Sequence, residues 1–247
     1  MRILLSNDDG YDSEGIKELK RVLSRAYDIL LIAPEKNMSA SSSSLTLGKP
    51  LLPKKISSSS YAVDGTPSDC VHMALCGFFK EKIDLVVTGI NFGPNLGDDV
   101  IYSGTVAGAI EGRFIGLPSI AFSLASWKGK NFKSAARIAL KIIENLQHLN
   151  VPTNTILNIN IPDLPLDEIR GIKATRLGSR HKSDEIIQDK NNPLEYWIGK
   201  NGMELDNKKG TDFHAIANDY VSVTPLQIDL TSKSILPNLT DWVSKIK

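Results

Sequence analysis

Runs of Ile, Leu and Val recur along the first two thirds of the chain, separated by segments with helical spacing. These runs are mostly continuous, which is typical of strands buried on both faces of a sheet. Strands that alternate with helices need crossover connections. The pattern therefore predicts an α/β fold, a Rossmann-like three-layer sandwich with a mostly parallel sheet. The predicted strands are Arg2 to Ser6, Asp28 to Ala33, Leu85 to Gly89, Ser119 to Ser123 and Ile156 to Ile161.

Three segments between these strands carry apolar residues at the spacing of an amphipathic helix. The second of them has a defined start, because Thr66 can cap the helix, Pro67 suits its first position and Asp69 completes a T-x-x-D capping box. The apolar positions are Ile16, Leu19, Val22 and Leu23; Val71, Ala74, Leu75 and Phe78; and Ile138, Leu140, Ile142, Ile143 and Leu146.

The character of the chain changes beyond Pro162, where Gly, Asn, Asp and Lys separate short segments such as Glu195 to Ile198 and Tyr220 to Thr224. These segments predict hairpins or an extended arm. A final helix would place Leu239, Trp242, Val243 and Ile246 on one side. We therefore expect a metal- and phosphate-binding core over residues 1–165, followed over residues 166–247 by an arm and a helix that serve oligomerisation.

Size, charge and cysteine content limit the classes of function. The 247 residues suit one large body with an appendage. With 29 basic and 28 acidic residues, the net charge of +1 predicts neither a nucleic-acid polymer nor an acidic membrane as partner. The two cysteines, Cys70 and Cys76, fall within one predicted helix and fit a reducing compartment. We see no leader peptide and no apolar run of membrane-spanning length, so we expect a cytoplasmic protein.

In a parallel α/β sheet, ligands bind beyond the carboxyl ends of the strands. After the first strand, Asp8 and Asp9 place two adjacent carboxylates, which suit Mg²⁺, Mn²⁺ or Ca²⁺. The sequence Asn7 to Gly10 is also typical of a simple turn. After the second strand, Ser39 opens a serine-rich loop, and its hydroxyl could bind a metal or a phosphate, or merely face solvent.

The strongest local signal follows the strand that ends at Gly89. A run with three glycines and two asparagines, Asn91 and Asn95, leads to a helix that begins around Ser103, Gly104 and Thr105. Glycines allow the backbone to approach a ligand, amide side chains can bind a cation or an anion, and the free N–H groups of a helix start attract phosphate. A ligand site is favoured here over an ordinary loop.

Several chemistries lack their sequence signatures. The chain has no P-loop motif, no dinucleotide-binding glycine motif and no nucleophile elbow. Its four histidines, His72, His148, His181 and His214, show no metal-ligand spacing and are interpreted as structural. An oxygen-ligated metal beside a phosphate cradle remains. The main alternative to an enzyme that uses such a site is a nucleotide-binding regulatory protein without turnover. A Rossmann-type oxidoreductase or transferase is a weaker alternative.

The ordered set of motifs resembles the SurE family of stationary-phase survival proteins, and the resemblance covers nearly the whole chain. The motifs are Ile3 to Gly10, Ala33 to Ser39, Gly65 to Val71, Gly89 to Val106, Leu157 to Pro162, Thr211 to Phe213 and Asp219 to Pro225.

The resemblance implies a metal-dependent 5'-nucleotidase that hydrolyses nucleoside monophosphates, with activity also on 3'-nucleotides and short polyphosphate. It implies one divalent cation, Mg²⁺ or Mn²⁺, that activates the attacking water. The implied metal ligands are Asp8, Asp9, Ser39 and Asn91, and either aspartate could accept the proton of the water. The implied phosphate-binding residues are Asn95, Ser103, Gly104 and Thr105.

The resemblance further implies a homodimer or homotetramer in which the C-terminal segment reaches a neighbouring subunit. Two departures from the family pattern are visible. Asp219 stands where a glycine usually precedes Tyr220, and the loop after Ser39 is unusually rich in serine. Neither departure changes an implied ligand, so both bear on the arm and on substrate access.

Overall fold

The computed structural model describes residues 1–114, 116, 118–149, 151–152, 154–181, 186–198 and 202–246. Within these ranges the strands are β1 (Arg2–Ser6), β2 (Asp28–Pro34), β3 (Pro53–Ser57), β4 (Ser60–Val63), β5 (Leu85–Phe92), β6 (Ser119–Leu124), β7 (Thr155–Ile161), β8 (Gly171–Ala174), β9 (Ser179–Arg180), β10 (Ile187–Gln188), β11 (Tyr196–Trp197), β12 (Glu204–Asp206) and β13 (Tyr220–Gln227). The α-helices are α1 (Glu14–Leu23), α2 (Pro67–Met73), α3 (Gly104–Phe114), α4 (Phe132–Asn145), α5 (Asp212–Ala217) and α6 (Leu236–Ser244).

Nine strands form one central sheet in the order β3-β4-β2-β1-β5-β6-β7-β13-β8. The neighbours from β4 to β7 pair in parallel, whereas β3 and β13 run antiparallel to β4 and β7. The prediction of an α/β fold with a mostly parallel sheet is confirmed. All five predicted strands are present, and β5 continues three residues past Gly89 to Phe92.

Helices cover both faces of the sheet, because successive side chains of a buried strand point to opposite faces. On one face, Ile3 and Leu5 of β1 pack in the same cluster as the apolar stripes of α1 and α4. On the other face, Leu4 packs with α2, and α3 packs beside α2. The predicted capping box at Thr66 is confirmed, since Thr66 and Asp69 exchange side-chain to backbone hydrogen bonds.

The C-terminal region contributes to the central sheet as well as to separate small sheets. Tyr220 to Thr224 was expected in the arm but lies in β13, between β7 and β8. Two short antiparallel pairs, β10 with β11 and β9 with β12, form the arm-like part. Helix α6 has no buried residue. No helix among the described residues is both long and apolar enough to cross a membrane.

A buried carboxylate, Asp212 at the start of α5, joins this region to the core. One of its oxygens accepts a hydrogen bond from the N–H of Gly97 at 2.8 Å, and the other accepts from Gly178 at 2.8 Å and Phe213 at 2.9 Å. Burial raises the pKa of Asp212, although the three N–H donors oppose this effect. Asp212 thereby fixes the loop that follows β5 against the C-terminal region.

Candidate active site

The carboxyl ends of β1, β2 and β5 and the start of α3 surround one cleft of about 630 Å³. A volume of this size is typical of a small-molecule site. Five of the residues predicted from the sequence line it, namely Asp8, Ser39, Asn91, Asn95 and Ser103. The other three, Asp9, Gly104 and Thr105, lie directly beside these residues, as the contacts below show.

Asp8 and Asp9 form the acidic centre of the cleft. Asp8 is 4% exposed and its carboxylate accepts a hydrogen bond from the Thr105 hydroxyl. Asp9 Oδ2 accepts a hydrogen bond from the backbone N–H of Phe92 at 2.8 Å. No ion pair joins either carboxylate to a basic side chain among the residues that the structure describes. Two adjacent acidic groups, one buried and one half-buried, thus lack a compensating basic side chain among the described residues.

The electrostatic cost of this arrangement appears in both pKa values. Burial raises the pKa of Asp8 above its usual value, and hydrogen bonds from Thr105 and from the backbone of Gly104 only partly offset that effect. Burial also raises the pKa of Asp9, to about 6, and the charge of Asp8 adds to the increase. Because a nearby positive charge favours the ionised form of a carboxylate, a bound cation would relieve this cost.

The serine-rich loop after β2 is held in place. The N–H of Met38 donates to the carbonyl of Asp8 at 2.7 Å, which brings Ser39 to the edge of the cleft. Farther along, Ser42 bonds through its N–H to the carbonyl of Tyr102 and through its hydroxyl to that of Ile101. Composition alone favours a flexible loop here, but these bonds fix the loop against the segment that precedes α3.

The donor set fits a hard divalent cation, which prefers oxygen ligands. Asn91 uses its side-chain NH₂ group to bond the carbonyl of Gly93 at 2.9 Å, so its amide oxygen remains available. The exposed Ser39 hydroxyl and the two carboxylates complete a set of four oxygen-bearing groups. Among the described residues, no group of three or more His, Cys, Asp or Glu side chains could hold a metal. Any cation in this cleft would therefore depend on the neutral oxygens of Ser39 and Asn91 as well as on the carboxylates.

The turn at Ser103, Gly104 and Thr105 begins α3 directly above Asp8. The Ser103 hydroxyl accepts a hydrogen bond from the N–H of Val106 at 3.1 Å and so caps the helix. A Cβ atom at Gly104 would lie 2.8 Å from Asp8 Cβ and 2.9 Å from the Ser41 hydroxyl oxygen. Only glycine allows this approach, which places the positive end of the helix dipole over the cleft.

A network of buried amide groups fixes Asn95. Its backbone N–H donates to Asn160 Oδ1 at 2.8 Å, and its carbonyl accepts from the NH₂ groups of Asn158 and Asn160 at 2.8 and 2.9 Å. Its own NH₂ group donates to the Ser123 hydroxyl at 2.7 Å. Asn158 and Asn160, both fully buried, come from the strand motif Leu157 to Pro162, and they hold the position from which Asn95 lines the cleft.

Sequence reasoning missed several residues in or beside the cleft. Ser41 does not line the cleft, but its hydroxyl is buried beside Gly104 and has no hydrogen-bond partner among the described residues. Arg180 lines the cleft and forms an ion pair with Asp99 at 2.9 Å. His181, which the sequence analysis interprets as structural, also lines it. Ser41 carried a signal in the serine-rich loop, whereas Arg180 and His181 arrive from the C-terminal region through tertiary contacts that no local pattern reveals.

Comparison with known proteins bears on this site. A family model described as "Survival protein SurE" matches residues 3–184. The chain belongs to the SurE family. The resemblance found from the sequence motifs is therefore confirmed, and the matched range contains all eight predicted site residues.

Individual members of the family are similar over their full lengths. A protein named 5'-nucleotidase SurE from Ruthia magnifica subsp. Calyptogena magnifica is 60% identical over 247 residues, covering 100% of both chains. One of the same name from Haemophilus influenzae is 48% identical, covering 99% of this chain and 98% of its own. The crystal structure of SurE protein from Aquifex aeolicus is 41% identical and superposes with a TM-score of 0.89, covering 98% of this chain and 100% of that one.

Proposed function

We propose that this protein is a divalent-metal-dependent 5'-nucleotidase that releases phosphate from nucleoside 5'-monophosphates. The observation that carries the proposal is a pair of adjacent carboxylates, the buried Asp8 beneath the N-terminus of α3 and the half-buried Asp9, neither paired with a basic side chain among the described residues. The full-length similarity to proteins named 5'-nucleotidase SurE supports the same reaction. Hydrolysis of 3'-nucleotides and short polyphosphate belongs to the proposal as a secondary activity.

Asp8, Asp9, Ser39 and Asn91 would hold one cation, Mg²⁺ or Mn²⁺. Such an ion supplies positive charge to a phosphoryl oxygen and lowers the pKa of a coordinated water. Asp9 has one carboxylate oxygen bonded to Phe92, and we assign it as the acceptor of the proton that the attacking water loses. Asp8 accepts a hydrogen bond from Thr105 and would hold the cation close to the turn at the start of α3, where the phosphate would bind.

The substrate phosphate would lie against the start of α3. The N–H groups of Gly104 and Thr105 lie beside Asp8 at the start of the helix, where a phosphate oxygen binds favourably, and a bound phosphate would share these donors with Asp8. Asn95 and the Ser103 hydroxyl would hold further oxygens, and the buried amide network keeps Asn95 from turning away. These groups position the phosphate and stabilise the charge that develops on it during the reaction.

Phosphate release distinguishes this proposal from a nucleotide-binding regulator. We expect the purified protein to release inorganic phosphate from AMP or GMP with Mg²⁺ or Mn²⁺ present. Dialysis against EDTA should stop the release, and either ion should restore it. Tight nucleotide binding without phosphate release would instead support the regulatory alternative. Phosphate release that chelation leaves untouched would contradict the metal-dependent mechanism.

We propose further that residues 166–247 serve assembly of a homodimer or homotetramer in the cytoplasm. Helix α6 exposes Leu239, Trp242 and Val243, and an apolar face of this kind favours a partner. Ile246, which the sequence predicted in the same helix, is also exposed but lies past the last helical residue, Ser244. Because the resemblance to the SurE family implies a C-terminal segment that reaches a neighbouring subunit, we assign this face to a second copy of the chain. Both cysteines are free, which fits a reducing compartment.

Truncation after Gln227 tests the assembly. The cut follows the last residue of β13, so the central sheet stays complete while α6 is removed. We expect the full chain to have two or four times its monomer mass of 27.0 kDa by light scattering, and the truncated chain to be monomeric. A shorter truncation after Ile246, which keeps α6 and every exposed apolar residue named above, is the control and should assemble normally. An unchanged subunit number after the longer truncation would overturn the assignment of α6.

A further inference from the structure

Two exposed aromatic side chains form part of the cleft wall. Phe92 ends β5 and Trp127 lies in the loop after β6, with their ring centroids 6.2 Å apart and their planes inclined at 72°. The two residues are 41% and 69% exposed, respectively, and both line the cleft. Burying the large apolar surface of an aromatic side chain is favourable, so most such side chains lie in the core. An exposed aromatic pair at a small-molecule site therefore indicates a surface that binds a ligand.

Each ring of this pair rests on a glycine. A Cβ atom on Gly93 would lie 2.4 Å from the Trp127 ring, and one on Gly129 would lie 2.5 Å from the Phe92 ring. Any larger residue at either glycine would push its ring away. The rings are therefore packed on one side against the backbone, which limits their motion, while a large part of their surface remains open.

The aromatic pair lies close to the proposed reaction centre. Phe92 directly follows Asn91, and its N–H bonds Asp9 at 2.8 Å. Gly93, which supports Trp127, is two residues past Asn91, a span of at most about 7 Å along an extended chain. A nucleoside monophosphate with its phosphate beside Asp8 and Asp9 is long enough to bring its base to these rings.

On the basis of the proposed nucleotidase activity, we propose that Phe92 and Trp127 are the platform on which the nucleobase of the substrate stacks. Every base has a π-face, so stacking selects for the presence of a base rather than for one hydrogen-bonding pattern. A purine offers the larger face. The platform thus makes nucleoside monophosphates, purine nucleotides above all, better substrates than sugar phosphates that lack a base.

Tyr102 is the competing position for the base. It is also exposed, lines the same cleft and directly precedes the phosphate-binding Ser103. The Phe92 and Trp127 pair is favoured because two rings meet there on glycine supports, whereas Tyr102 has no contact with another aromatic ring in the part of the chain that the structure describes. Substitution of each position separates the two assignments.

The test compares AMP with ribose 5-phosphate, which has the same phosphate ester but no base. The measured quantity is the ratio of the two kcat/KM values. Alanine substitution of a stacking aromatic costs about 1–3 kcal/mol per base, so Trp127→Ala should lower the ratio about fivefold or more. Trp127→Phe, which keeps a π-face, should retain most of it, and Tyr102→Ala should leave the ratio near that of the wild type.

An unchanged ratio in Trp127→Ala, or a fall in Tyr102→Ala alone, would overturn the platform. If the wild-type protein hydrolyses neither substrate, the nucleotidase proposal fails, but the platform remains testable. The chain has three tryptophans, and AMP should quench fluorescence in the wild type but not in Trp127→Phe. Ribose 5-phosphate is the control ligand and should quench neither protein. Equal quenching by AMP in both proteins, or none in the wild type, would reject the stacking site independently of turnover.

Discussion

Asp8→Asn and Asp9→Asn should each lower kcat/KM for AMP by about 10³-fold or more, because each removes a charged ligand from the proposed cation site. Metal ions contribute several kcal/mol of transition-state stabilisation, and 1.36 kcal/mol corresponds to a tenfold change in rate. Phosphate release at saturating Mg²⁺ or Mn²⁺ measures the loss. Asp12→Asn, an exposed residue of the same loop, is the matched control and should keep wild-type activity.

The two variants should nevertheless remain folded. Asparagine preserves the shape of aspartate and removes a negative charge that is buried at Asp8 and half-buried at Asp9, so the desolvation cost that raises the pKa of each carboxylate disappears. We expect their melting temperatures in EDTA to equal or exceed that of the wild type. Added Mg²⁺ should stabilise the wild type but neither variant. Near-normal activity in either variant would remove that residue from the metal site.

Local patterns predicted most of the fold. The strands appear where continuous apolar runs were found, and the capping box at Thr66 forms as its spacing indicated. The placement of β13 was not predictable in this way, because its antiparallel pairing with β7 joins residues more than 60 positions apart. The sequence marked Tyr220 to Thr224 as a short segment but could not show which strand it would meet.

The candidate site was predicted where its residues follow strands directly. Asp8, Asn91 and Asn95 came from the rule that ligands bind beyond the carboxyl ends of parallel strands. Ser39 depended on the family resemblance, since an isolated serine in a serine-rich loop has no distinguishing local signal. Trp127 was missed because its role depends on packing against Gly93, more than 30 residues away.

Gly104→Ala should lower kcat/KM by about 10²-fold without unfolding the protein. The new methyl group would lie 2.8 Å from Asp8 Cβ and 3.0 Å from Asp8 Oδ2, so the carboxylate or the helix start must move. A displacement on the order of 1 Å at a reacting centre can cost about 10²-fold in rate. Alanine is a better helix former than glycine, so α3 itself should not be weakened.

Gly48→Ala is the control for this change. A Cβ atom at Gly48 would meet no atom within 4 Å, so the same substitution there should leave activity unaltered. Circular dichroism should show the same helix content in both variants and in the wild type. If Gly104→Ala were as active as Gly48→Ala, the close contact between the helix start and Asp8 would have no part in the reaction.

The hydrogen bonds of Asp212 would couple nucleotide binding to subunit association. A single carboxylate secures Gly97 on the cleft side together with Gly178 and Phe213 on the C-terminal side. The two sides cannot shift independently while those bonds persist. If the assembly proposed above also restrains the segments of Gly178 and Phe213, it would stiffen the loop that bears Asn95, and substrate occupancy would in turn favour association. Nucleotide affinity and subunit affinity should therefore rise and fall together.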